Sequence, residues 1–244
     1  MPDNNGQLSV VIPCFNEEKT IKVLLEMVLI QKLVGEVIII DDSSVDSSVE
    51  IINSIPDKRI KLIKHEKNKG KGAAIATGLQ YSNLPYVIIQ DADLEYDPNE
   101  YEDLLRPILA GKADVVFGSR FLTSTSRRVL YYWHHVGNSV LTTLSNIFTN
   151  IDLTDMETCY KVMTRKVAVS LHITENRFGL EPQITAQIAA MRVRIFEIPI
   201  SYNGRTYEEG KKITWKDGFS ALRCIVKYNQ PKHKKRARRR YLEA

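Results

Sequence analysis

Cysteine is scarce and scattered in this sequence. Cys14, Cys159 and Cys224 are odd in number and far apart, which argues against a disulfide framework or a paired zinc-ligand spacing and points to a reducing compartment. Long apolar runs are also missing. None approaches the roughly 20 residues that a membrane span requires, and the opening MPDNNGQ lacks the basic-then-apolar pattern of a secretory leader. Neither the G-x-x-x-x-G-K-[ST] phosphate loop nor G-x-G-x-x-G occurs. A protein without a span, or one that rests on a membrane without crossing it, is expected.

Basic excess is absent from most of the chain. The 244 residues carry a net +5, but Lys232 to Ala244 hold seven Lys or Arg against one Glu, a net of +6, so residues 1–231 carry −1. The run KHKKRARRR reads either as a solvated tail or as a patch for anionic lipid headgroups. The body lacks the aromatic and basic interleaving of a nucleic-acid binder, so no nucleic acid is expected.

What is present is a repeated alternation. Leu8–Pro13, Glu36–Asp42, Ile60–His65, Tyr86–Asp91 and Asp114–Ser119 are short runs rich in Val and Ile. Consecutive apolar positions are the pattern of strands covered on both faces, as in a parallel sheet. Helical stretches fill the gaps. Asn16 is placed to cap the run that carries Ile21, Leu24, Leu25 and Val28. Segments 47–54 and 72–81 follow, and Pro98 suits a first helical turn. Such alternation predicts a doubly wound α/β unit over about 120 residues, with ligands outside the carboxyl ends of the strands. Those ends carry Asn16 and Glu17, Asp41 and Asp42, Lys69 and Lys71, Asp91 and Asp93, and Arg120. Five charged strand ends on one rim are more specific than any single motif.

In YVIIQDADLEYDP, Asp91, Asp93 and Glu95 stand at alternate positions. In extended chain all three would share a face. Their repulsion is relieved by a divalent cation, and oxygen-only ligands favour Mg²⁺ or Mn²⁺. Gly70 and Gly72 would let the backbone approach a ligand closely, with Lys71 beside them.

Taken in order, VVIPCFNEE, IIIDDSSVDSS, NKGKGAAIATG, IIQDADLEYDP and VVFGSRF resemble the family 2 inverting glycosyltransferases of the GT-A fold, and within them the polyprenyl-phosphate sugar transferases such as dolichyl-phosphate mannose and glucose synthases. The resemblance runs over roughly residues 8–205. It implies a mostly parallel mixed sheet between helices, with interfacial helices near the C-terminus. It implies one domain over 1–231, with a nucleotide-sugar half at about 8–120, an acceptor half at about 121–230 and a basic tail at 232–244. Pro13, Asn16 and Glu17 would lie against the nucleotide, Asp41 and Asp42 would meet base and ribose, and Lys71 and Gly72 would sit nearby. Asp91, Ala92 and Asp93 would meet metal and diphosphate, with Glu95 a third ligand.

The acceptor half is read through the same resemblance. Arg120, Arg127 and Arg128 would position an acceptor phosphate. Leu130, Tyr131, Tyr132 and Trp133 meet an isoprenoid chain or simply pack a core helix. Asp155 and Lys161 of LTDMETCYKV, Glu181, Arg205 and Lys211 would gather near sugar and diphosphate. Cys159 has no His–Asp couple to activate it and is not a nucleophile. The implied reaction moves a hexose from GDP-mannose or UDP-glucose to a polyprenyl phosphate. It would run at the cytoplasmic face of a membrane, with an integral membrane partner as one means of attachment. Transfer to a sugar hydroxyl, with Asp155 as base, is the alternative. A metal-dependent nucleotidyltransferase and a non-catalytic sensor of nucleotide sugars are the readings from other classes.

Overall fold

The computed structural model describes residues 6–122, 128–129, 131–177, 179–204 and 215–244. The expected Arg127, Leu130, Arg205 and Lys211 lie outside the described residues. The five apolar runs form strands β1 (Leu8–Cys14), β2 (Val34–Asp41), β3 (Ile60–Lys64), β4 (Tyr86–Ile89) and β5 (Val115–Ser119). Two more strands follow in the second half, β6 (Lys161–Thr164) and β7 (Ile195–Pro199). The sheet order is β3-β2-β1-β4-β6-β5-β7. Only β6 runs against its neighbours β4 and β5; the remaining pairs are parallel. The expected mostly parallel mixed sheet is therefore observed.

The helices are α1 (Ile21–Leu29), α2 (Ser48–Asn53), α3 (Lys71–Tyr81), α4 (Tyr101–Leu109), α5 (Tyr132–Thr149), α6 (Arg165–Ser170), α7 (Leu180–Met191), α8 (Trp215–Tyr228) and α9 (Pro231–Glu243). They cover the sheet and close one large core through Ile12, Ile38, Ile39, Val87, Ile88 and Phe117. Burial of these residues on both sheet faces accounts for the unbroken apolar runs.

Three local expectations change. Asn16 does not cap α1, which starts only at Ile21 after Thr20. It takes the left-handed conformation (φ 56°), which asparagine tolerates better than most residues. It ties the loop after β1 to the loop after β2: its backbone N–H donates to Ser44 Oγ (2.9 Å) and its Oδ1 accepts from Val45 N–H (2.9 Å). Second, β4 ends at Ile89, and residues 92–96 form bends. The three acidic side chains thus leave the single extended face expected of them. Third, the basic run is the helix α9, which buries Ala237 and packs Tyr241 against the core while most of its Lys and Arg stay exposed.

The glycine loop before α3 is positioned by contact, not by flexibility. Gly70 has φ 93°, a region open mainly to glycine. A Cβ on Gly72 would lie 1.9 Å from the Glu175 carbonyl oxygen, and Gly72 N–H donates to Asn176 O (3.1 Å). Gly72→Ala therefore forces two backbone segments apart. An overpacking cost of about 2–3 kcal/mol corresponds to a loss of roughly 4–12 °C in Tm for a chain of this size. Thermal unfolding followed by circular dichroism checks it.

Candidate active site

The rim is assembled from the carboxyl ends of the strands. Gln90, fully buried, fixes the bend after β4: its Oε1 accepts from Tyr101 Oη (2.6 Å) and Tyr160 Oη (2.7 Å), and its Nε2 donates to Asp91 O (3.0 Å). Thr20 Oγ1 is placed at hydrogen-bond distance from Ala92 O (2.9 Å) and Glu17 Oε2 (3.0 Å). The expected nucleotide contacts Glu17 and Ala92 are therefore joined through the start of α1.

Asp42 stands just past the end of β2, where its carboxylate already has protein partners. It is buried, and its carboxylate accepts from Lys69 N–H (2.9 and 3.1 Å), Gly70 N–H (2.6 Å) and His65 Nδ1 (2.7 Å). In this state its oxygens order the glycine loop. Asp41, also buried, accepts weakly from Ser44 N–H (3.3 Å). Pro13 is the half-buried residue of β1. A cleft of about 420 Å³ opens beside the loop, lined by Lys69, Gly70, Glu175 and Arg177 among others.

Lys71 Nζ meets Asp91 Oδ1 at 2.6 Å. Burial disfavours the Lys71 ammonium, but the negative groups around it, Asp91 first and Glu181 among them, together hold it charged well above its ordinary range. Asp93 Oδ1 accepts from Glu95 N–H (3.1 Å), and Glu95 Oε2 accepts from Tyr202 Oη (2.6 Å). Among the described residues no three His, Cys, Asp or Glu side chains come together as a cation cage. The donor set still fits a hard dication of another kind. Mg²⁺ and Mn²⁺ commonly take one or two carboxylates and complete their shell with substrate phosphate oxygens and water. Asp91 and Asp93 supply such oxygens, and Glu95 stands beside them with Oε2 on the Tyr202 hydroxyl.

The side of the rim beyond β5 centres on Arg120. Its Nε and Nη2 donate to the two oxygens of Asp155 (2.6 and 2.7 Å), and its backbone N–H donates to Oδ2 (3.1 Å). Asn138 of α5 adds a bond to Asp155 Oδ1 (3.3 Å). Asp155 is 0% exposed. The guanidinium lies over the Tyr202 ring, 5.0 Å from its centroid. Tyr202 in turn packs at a tilt against Tyr96 (ring centroids 5.2 Å apart), and Tyr96 against Tyr160 (4.7 Å). Arg128 Nη1 donates to Gly204 O (3.0 Å), beside the segment that continues to Arg205. Deeper in, the fully buried Lys161 ammonium bonds Glu181 and Thr158 O and lies 5.1 Å from the Phe117 ring centroid. Cys159 is buried, and burial first, then Asp91, pushes its thiol well up.

The model of glycosyl transferase family 2 matches residues 9–171. The chain belongs to that family. Among its relatives, a dolichyl-phosphate beta-glucosyltransferase of Dictyostelium discoideum is 28% identical over 249 residues, covering 90% of this chain and 72% of the relative. A dolichol-phosphate mannosyltransferase of Pyrococcus furiosus is 24% identical over 226 residues, covering 91% of this chain and 63% of the relative. The chain thus spans under two thirds of the Pyrococcus protein. Glucosyl-3-phosphoglycerate synthase of Mycobacterium tuberculosis, solved with UDP, superposes with a TM-score of 0.71 at 16% identity, over 91% of this chain and 80% of that one. The same synthase solved with Mn²⁺, UDP and phosphoglyceric acid gives 0.67. The fold is thus the GT-A fold expected of the family.

Family membership makes the strand-end rim the active-site candidate. Gln90, Tyr96, Tyr202 and Glu157 belong to that rim and escape sequence reasoning. The first three are neutral, and Glu157 carries no spacing signal of its own. Asp155→Asn is expected to cost about 3–5 kcal/mol in urea unfolding, because it breaks a buried pair and leaves Arg120 uncompensated. Activity lost at unchanged stability would instead mark Asp155 as a base.

Proposed function

We propose that this protein transfers a hexose, with inversion, from a nucleoside diphosphate sugar to a polyprenyl phosphate at the cytoplasmic face of a membrane. One observation carries the choice of acceptor. Asp155, the carboxylate placed to act as base toward a sugar hydroxyl, is sealed from solvent with both oxygens on Arg120. A hydroxyl acceptor needs a base; a phosphate monoester, with a second pKa near about 6, is already mostly dianionic at neutral pH. A locked guanidinium beside an unavailable base suits an anionic nucleophile.

Each residue then has a task. The glycine loop, ordered by Asp42, and Glu17 lie against the nucleotide. Asp91 and Asp93 would hold Mg²⁺ or Mn²⁺ against the donor diphosphate. When bound, that ion supplies the positive charge that a departing diphosphate requires. Lys71, paired with Asp91 before donor arrives, turns to the diphosphate. Arg120 aims the acceptor phosphate, and its fork geometry fixes the angle of approach. Arg128, and outside the described residues Arg127, Arg205 and Lys211, add cationic contacts to the two phosphate groups. Glu181 faces the hexose hydroxyls from the start of α7.

Helix α5 supports the lipid part of this reading. Its buried residues are polar, Thr142 and Ser145. Its exposed face carries the large apolar side chains Tyr132 (69%), Trp133 (76%), Val140 (52%) and Ile147 (69%), beside His135 and Thr143. Among the described residues no helix is long and apolar enough to cross a membrane. An apolar face with a cationic helix, α9, at its far end (Lys234 Nζ donates to Phe148 O, 2.7 Å) suits contact with an anionic bilayer surface. Incubation with radiolabelled GDP-mannose or UDP-glucose, Mn²⁺ and an isoprenyl phosphate is expected to place label in the organic-extractable lipid. A chelator should abolish the transfer and added Mn²⁺ restore it. Label found only in water-soluble glycan refutes the acceptor.

A further inference from the structure

The loop between α5 and β6 carries Glu157, a carboxyl with a buried oxygen that the transfer above does not use. Glu157 lies beside two ion pairs, Arg120–Asp155 at the end of β5 and Lys161–Glu181 between β6 and α7. Each cation already has its carboxylate, and Glu157 is the odd acid. Ionised, it brings the five groups to a net charge of −1; protonated, it leaves them neutral. Its Oε1 is buried and has no hydrogen-bond partner among the described residues, and the neighbouring Thr158 hydroxyl is buried and unpartnered as well. A carboxylate oxygen there loses its hydration with nothing in return, whereas the oxygen of a neutral acid bears the loss at much smaller cost. The charged groups that face it are Glu181, Lys161, Arg120 and Asp155. Burial first, then Glu181, pushes its pKa up to about 8, against the pull of the two cations.

We propose that Glu157 sets the charge that the acceptor pocket accepts: as a neutral acid it lets an anionic phosphate approach Arg120, and as a carboxylate it repels that phosphate. The inference rests on the phosphate-acceptor reading given above. The proton stays on Glu157 throughout, so no bond forms or breaks there. Glu157 is a specificity-determining residue, acting through the local potential.

Two measurements on the full-length chain test it. Isotope-edited infrared spectroscopy of ¹³C-glutamate protein is expected to show a protonated carboxyl band at pH 7 that disappears in Glu157→Gln and fades above pH 8. Binding of a short-chain isoprenyl monophosphate in micelles is expected to weaken about tenfold between pH 7 and pH 9 in the wild type, the change in protonated fraction for a group titrating near 8. Above pH 7 the ligand's own phosphate changes charge little. Glu157→Gln, neutral at every pH, should bind as the wild type does at pH 7 and stay level to pH 9. Absence of the band at pH 7, or a parallel decline in Glu157→Gln, overturns the proposal. Failure of the wild type to bind isoprenyl phosphate at any pH overturns the acceptor reading beneath it. Binding without the Glu157 band overturns this inference alone.

Discussion

The two parallel bonds between Arg120 and Asp155 hold the rim beyond β5 together. The arginine stands just past β5, the aspartate in the loop that leads to β6, and Asn138 reaches the same carboxylate from α5. Three elements distant in sequence thus meet on one buried anion. Within a water-poor site the attraction is far stronger than at a surface, but so is the cost of drying both ions. The geometry has to be good for the balance to hold, and here the fork of the guanidinium, the backbone N–H of Arg120 and the Asn138 amide occupy the lone pairs of Asp155. The result is a cation whose direction is fixed before any substrate arrives. Preorganised charge of that kind needs little rearrangement during the reaction.

The same principle governs the rest of the rim. Lys71 is matched by Asp91, Lys161 by Glu181, and His65 by Asp42. A diphosphate entering such a balanced site has to bring positive charge with it or draw a cation from its partner. The exposed pair answers that need: Lys71 and Asp91 retain 39% and 21% of their side-chain surface, against 0% and 12% for Lys161 and Glu181. The outer pair is within reach of an entering ligand, and the inner pair is largely closed to solvent.

The central strands were legible in the sequence because β1, β2, β4 and β5 are buried almost throughout, and only apolar residues satisfy that at successive positions. The rim was legible for a related reason: each apolar run stops where the charge begins. The partner of each charge was not. Asp42 stands next to Asp41 in a strand-end pair, and nothing local reveals that Lys69, Gly70 and His65 will consume its oxygens. Asp91, Asp93 and Glu95 have the alternation of a strand, yet Gln90, held by Tyr101 and Tyr160 from 11 and 70 residues away, bends the chain before them. Such contacts are long-range, and sequence periodicity carries only short-range order. Nor did composition separate a solvated tail from α9, because its anchor is one small residue, Ala237, and one aromatic, Tyr241, among seven cations.

Helix α5 shows the limit most clearly. Its pattern is amphipathic, and the ordinary rule turns the apolar stripe toward the core. Here the polar stripe faces inward because it has work there: Asn138 bonds Asp155, Thr142 Oγ1 accepts from Met156 N–H (3.2 Å), and Asn146 holds both the N–H and the carbonyl of Leu153. Those bonds shape the loop that carries Asp155 and Glu157. A helix that supports a buried ion pair with one face cannot bury its apolar residues with that face. Trp133, Val140 and Ile147 are left outward as a direct consequence, and exposed apolar area of this kind is stable only when something covers it. On the reading proposed above, a bilayer surface does so, and the requirement to aim Arg120 and the requirement to reach a lipid are met by opposite sides of one helix.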